Sequence, residues 1–222
     1  LHKLNNDFLN FGNYENLYFI INSDGGSSGA AYEMAYLLKN SAKNIIGLIP
    51  YGAYSSATIL SLIFSEIRFS STGHLAPIDT QAYNYEAGHG YSYGSCENLI
   101  KCIDIVMDRS IEALNRSVDN LIRYGDLNIS DSFHLSTNIL EPITKPILSK
   151  IDPMVLGDYA RAREVGLKYG VRILMDLQGW SSKDANDTCR ALTYNYPTHG
   201  FKIRSTEAKK LGLNVQDPSK AE

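Results

Sequence analysis

The sequence predicts an α/β fold with a central, mostly parallel sheet flanked by helices and a helical C-terminal part. Three observations carry that expectation. Apolar, β-rich runs at 17–22, 44–49 and 66–69 alternate with helical patterns at 30–40 and 57–65; this order implies right-handed crossovers and parallel pairing. The first run, LYFIIN, is nearly continuous in apolar residues, as in a strand covered on both faces. The first two runs end in small-residue turns, SDGGSSG at 23–29 and PYGAYS at 50–55, so backbone N–H groups and a hydroxyl gather on one sheet edge.

The remaining elements follow in order. Leu4, Phe8, Leu9 and Phe11 suggest a short opening helix over 3–14, with Gly12-Asn13 closing it. In the helix at 30–40, Ala31, Met34, Ala35 and Leu38 share one face, whereas 57–65 is apolar all round and belongs in the core. An extended loop follows at 72–81. Residues 82–95, rich in Tyr and Gly, read as a flexible loop suited to a lid or substrate rim. A long amphipathic helix or helix pair is expected at 97–122, and short helices capped by Asp131 or Ser132 and by Ser136 or Thr137 at 124–150. The pattern over 153–177 gives another long helix, in which Gly157, Gly166 and Gly170 mark close packing of another backbone. Short helices at 184–192 and 206–211 come last, the latter ending at Gly212. We read one domain over 1–222, with an αβ core at 1–81, a loop and helical insert at 82–150 and a helical segment at 151–222.

Composition narrows the function classes. At 222 residues with 44% hydrophobic and 20% charged residues, the chain can bury a sizeable core. A net charge of −3 without a basic stripe argues against nucleic acid or a membrane surface as partner. Cys96, Cys102 and Cys189 lack ligand spacing, so no disulfide framework or metal site is expected; a reducing, cytoplasmic setting is the default. Cys102 and Cys189 read as core-face residues and His134 as a surface residue. No cofactor is expected, because SDGGSSG has neither the ending of a P-loop nor the order of a dinucleotide fingerprint. No apolar run approaches the ~20 residues of a membrane helix.

The order of motifs carries more than any one of them. INSDGG, GAAYEMAYLL, PYGAYSSATILSL, GHLAPIDTQ, DPMVLGDYARAR and YPTHGFKIRSTEAKKLGLNV succeed one another along the chain. Together they resemble the serine dehydrogenase proteinase family, Clp/crotonase-fold serine peptidases related to signal peptide peptidase A. The likeness covers 17–81 and 152–215. It implies a Clp/crotonase-like fold, ATP-independent peptide cleavage through an acyl-serine, and a homo-oligomer whose contacts involve the late helix and the C-terminal segment. The family pattern around the nucleophile falls on Ser55. The chain departs from it where Ser56-Ala57 stands for Ala-Gly, Ala76 for Gly and Thr80 for Pro, and Ser56 offers a second hydroxyl.

The chemistry sets further requirements. A serine hydroxyl needs a base within reach and preorganised donors for the developing oxyanion. The amide of Ser56 is the natural first donor, and Gly25 or Gly26 the second. Relatives take the base from a His or a Lys. In the His window stand Asp79 and Thr80, with His74 slightly early; a carboxylate of pKa ~4 is a poor base for serine, so Asp79 reads as a loop-shaping residue. In the Lys window stands Lys101, whose neighbours Leu99, Ile100, Cys102 and Ile103 suggest burial that would lower its pKa. His199, within YPTHGF, reads as a supporting residue that orients its loop, and His89 as substrate-facing or idle. The alternative to a peptidase is a catalytically silent homologue that uses the same groove to bind peptides or scaffold an assembly.

Overall fold

A computed structural model describes the backbone of residues 14–78, 81–86 and 90–216 and, outside 81–99, their side chains. The opening helix expected at 3–14 and residues Asp79, Thr80 and His89 therefore lie outside the described residues, or nearly so. The chain divides into two compact units, residues 1–80 with 162–222, and residues 81–161.

The first unit is mixed α/β. Strand β1 (Tyr14–Ile20) leads to helix α1 (Ser28–Ser41), then β2 (Ala42–Ile49), helix α2 (Ser56–Ser61) and β4 (Glu66–Phe69), while the two-residue β3 (Gly52–Ala53) and β5 (His74–Leu75) form a small separate pair. The main sheet runs β1-β2-β4-β8, every pairing parallel, with β8 (Val215–Gln216) supplied by the C-terminal segment. Parallel pairing follows from crossovers that each contain a helix. Ser27 begins α1 by accepting a hydrogen bond from the Ala30 amide. Helix α1 buries Ala31, Ala35 and Leu38 on its expected face, and all six residues of α2 are buried. Leu38, Ile45, Ile59, Ile63, Ile67 and Leu192 are among the largest fully buried side chains.

Strand β1 is not covered on both faces. Among the described residues it is an edge strand of the main sheet, with Leu17 and Phe19 packed inward, Phe19 lying 5.9 Å from the Phe64 ring, while Tyr14, Tyr18 and Ile20 are exposed. The outward positions also carry apolar residues, so the two-residue alternation of a one-faced strand was hidden.

Helix α5 (Pro153–Arg172) continues into one π-helical stretch, Ile173–Leu177, and is followed by α6 (Ser182–Tyr194) and α7 (Ser205–Lys210). Close packing expected at a glycine of this helix occurs at Gly170, against side chains rather than backbone: an added Cβ would lie 2.9 Å from Cys189 Sγ and 3.2 Å from Leu62 Cδ1. At Gly157 no atom would come within 4 Å. Gly212, at φ 85°, closes α7 with Leu213 N–H donating to Ala208 O.

The second unit differs from its sequence reading in two places. Residues expected to be a loop form an antiparallel hairpin, β6 (Gln81–Glu86) with β7 (Gly90–Ser95), in which Tyr83 is registered with Tyr93 and Tyr85 with Tyr91. Tyrosine at every second position is a strand period that the interspersed glycines disguised. After α3 (Cys96–Gly125), the segment expected to be loop-rich is one helix, α4 (Ile129–Leu148), with Pro142 and Pro146 inside it. Asn128 caps it, accepting from the Asp131 amide. The expected caps do other things: Thr137 donates back to Phe133 O or His134 O, and Ser136 bonds Ser117 of α3 at 2.8 Å.

Candidate functional site

The two small-residue turns of the αβ unit meet. Ser23 N–H donates to Gly52 O and Tyr54 N–H to Ser23 O, each at 3.0 Å, so the segment after β1 runs in register beside β3. Asn22 Oδ1 reinforces this by accepting from the Gly52 amide at 3.3 Å. Gly25, at φ 109°, lies so close to the second turn that an added Cβ would be 2.9 Å from Tyr54 O and 3.0 Å from Ser55 Cβ. Only glycine suits both that dihedral and that approach. Its own amide donates to Ser23 Oγ at 3.2 Å, which leaves Gly26 as the better placed of the two glycines to donate to a substrate.

Ser55 has φ 51° and ψ −114°, outside the regions an L-residue normally occupies. Such a conformation costs about 1–3 kcal/mol and persists only where its surroundings impose it. Here they do. Tyr54 is held by the Ser23 carbonyl on one side, and on the other Ala57 N–H donates to Tyr54 O and Ile59 N–H to Ser55 O, beginning α2. Thr58 secures the helix from below, its hydroxyl lying 2.7 Å from Ala53 O and 2.6 Å from Ala76 O. Ser55 is half-buried and Ser56, the first helical residue, is buried. A cavity of about 290 Å³ lies against these turns, lined by Gly25, Gly26 and Ser56 together with Phe19, Met34 and Leu60.

A second group of residues stands behind Ser55. His74 is fully buried; its Nδ1 lies 3.0 Å from Thr72 O, to which it must donate, and its Nε2 is hydrogen-bonded to the Tyr54 hydroxyl at 2.8 Å. That engagement makes His74 a support for the residue preceding Ser55. Burial chiefly, with Tyr51 and Asp24 adding, raises the Tyr54 phenol above its ordinary pKa and keeps it protonated. The His199 ring stacks on Tyr54, with centroids 6.3 Å apart and planes at 26°. The sequence reading did not connect Tyr54, His74 and His199. The signal available was an aromatic residue directly before the serine pair, but its partners lie 20 and 145 positions away.

The structure thus gathers Gly25, Gly26, Ser55, Ser56 and His199 in one unit. Asp79 is outside the described residues, and Lys101 belongs to the other unit, near the start of α3, where it is half-buried. Its neighbour Cys102, expected on a core face, is exposed, because α3 turns that side outward; Cys189 is buried, and burial pushes its thiol up to about 12. Among the described residues no group of three or more His, Cys, Asp or Glu side chains could hold a metal ion, and no helix is long and apolar enough to cross a membrane. Comparison with known families, curated proteins and solved structures finds no match to this chain.

Proposed function

We propose that this chain is an ATP-independent serine peptidase of Clp/crotonase-like fold in which Ser55 is the nucleophile. The observation that carries the reading is the strained backbone of Ser55 at a strand-to-helix corner packed against Gly25. A sharp corner of this kind presents a hydroxyl away from its own helix, which is what attack on a carbonyl requires. In this mechanism Ser55 Oγ adds to the peptide carbonyl as a base takes its proton. The amides of Ser56 and Gly26 receive the negative oxygen, the amine leaves protonated, and water releases the acyl group from the serine. Lys101 is the proposed base, as the resemblance implies. Tyr54, braced by His74 and His199, holds the corner in shape.

A fluorophosphonate probe tests the reading. Labelling of the wild type, its loss in Ser55→Ala and its retention in Ser56→Ala are the expected results. Lys101→Met should slow labelling at least tenfold. One observation favours the silent, peptide-binding homologue: Ser56, not Ser55, lines the cavity wall. Peptide binding without labelling at any pH would establish that alternative and reject the peptidase.

A further inference from the structure

The cavity beside the two turns has a composition of its own. Among the described residues, no acidic or basic side chain lines it. It exists because small residues face each other where α1 and α2 begin. The two helices pack together, and Ala30 and Ala31 of α1 with Ala57 of α2 leave open the space that larger side chains would fill. Both helices start at turns that are in contact, α1 at Ser28 and α2 at Ser56. Along α1, Met34 comes one turn after Ala30 and Ala31; along α2, Leu60 comes one turn after Ser56 and Ala57. At 1.5 Å per residue, Met34 and Leu60 therefore lie about 6–9 Å farther along their helices than the turns. The cavity runs from the backbone amides of Gly26 and Ser56 at one end to a thioether and a leucine at the other.

We propose that this cavity receives the side chain of the residue whose carbonyl Ser55 attacks, and that Met34 sets the size it accepts. The inference rests on the peptidase reading and adds a substrate class to it: peptide bonds that follow a leucine, methionine or phenylalanine. A carbonyl oxygen held by the Gly26 and Ser56 amides brings that side chain with it. Its Cβ is two bonds from the carbonyl carbon, whereas a side chain on the leaving amine begins three bonds away. Gly26 and Ser56 also line the cavity, so the nearer side chain is the one that can enter it. The volume of about 290 Å³ suits this occupant. An apolar space of ~150 Å³ already admits a benzene-sized group, and pockets for whole small molecules begin near ~300 Å³. An apolar side chain gains by burial there, whereas an aspartate or lysine would lose its hydration and meet no counter-charge. Met34 is the adjustable wall, because it is half-buried, unbranched and contributes a side chain where Gly26 and Ser56 contribute backbone.

Two readouts test it. Diethyl fluorophosphate, which carries no amino-acid side chain, reports the reactivity of Ser55 alone, and acetyl-Ala-Ala-X-aminomethylcoumarin peptides report the choice of X. With X as leucine or phenylalanine, kcat/KM should exceed that for alanine at least tenfold and that for aspartate or lysine at least a hundredfold. Met34→Trp should lower the phenylalanine-to-alanine ratio at least tenfold. Met34→Ala should raise the tryptophan-to-leucine ratio at least fivefold, a reordering of substrates that partial unfolding does not produce. Tyr36→Ala, on the same helix but 49% exposed and outside the cavity lining, should leave both ratios unchanged. Labelling of Ser55 without cleavage of any peptide, with equal rates for all X, with preference for a charged X, or with ratios indifferent to both Met34 variants overturns the inference and leaves Ser55 as the nucleophile. Absence of both labelling and cleavage rejects the peptidase and this inference with it.

Discussion

The αβ unit and the helical unit solve the same problem to different degrees. In the first, the hydrophobic cluster draws on α1, β2, α2, β4, the π-helical stretch, α6 and β8, and side chains such as Ile59, Ile63 and Leu192 have no exposed surface. In the second, among the described residues, only Ser132, Ser136 and Tyr159 are buried. A layered sheet encloses its interior on two sides, whereas two helices side by side enclose almost nothing. The first unit can therefore hold a strained serine in place, because many contacts share the cost. In the second, side chains such as Ile129 and Ile143 stay more than half exposed.

Four measurements would break or sharpen that contrast. The largest difference should appear in thiol chemistry. Exposed Cys102 should react with a maleimide at once, whereas Cys189, buried and with its thiol pushed up to about 12, should react at least ~10³-fold more slowly, when the αβ unit opens. Comparable rates, followed by peptide mass spectrometry, would mean that the core opens as readily as the hairpin.

Next in size is Ile59→Ala. Ile59 is fully buried, so a cavity there should destabilise the protein by about 3–4 kcal/mol in urea unfolding, while Ile105→Ala on the helical unit should cost under about 0.5 kcal/mol. Thr58→Val should cost about 1–3 kcal/mol, because it removes a buried hydroxyl shared between Ala53 O and Ala76 O, and probe labelling of Ser55 should fall with it. Unchanged labelling would show that the corner keeps its shape without the threonine. The smallest effect is expected from Asn128→Ala, which removes the cap of α4 and should cost about 1 kcal/mol. Hydrogen exchange should quicken in the first turn of α4 and leave α1 and α2 unaltered.

Legibility in the sequence followed the same division. Where an element is buried by its neighbours, its apolar pattern identifies it: 66–69 was read to the residue as β4, and the faces of α1 and α2 were read correctly. Where an element has open surface, the pattern misleads. Tyr14, Tyr18 and Ile20 made an edge strand look internal, and Gly90 and Gly94 concealed the strand period of β7. Candidate caps at Asp131 or Ser132 and at Ser136 or Thr137 suggested short helices where one helix runs through, with Pro142 and Pro146 in its last two turns. The meeting of the two turns was legible because both follow parallel strands at the same sheet edge. The support of Tyr54 by His74 and His199 was not, since it depends on folding of the β5 and C-terminal segments over that edge.

The dihedrals of Ser55 carry an implication for how this corner would change under drift. Glycine adopts such angles freely, and a serine codon can become a glycine codon by one nucleotide change. Ser55→Gly would relieve the backbone penalty while removing the hydroxyl, so a lineage with no use for that oxygen would gain thermal resistance by taking it. A Ser55→Gly chain that melts at higher temperature than its parent would reveal the load that this one side chain imposes on the fold.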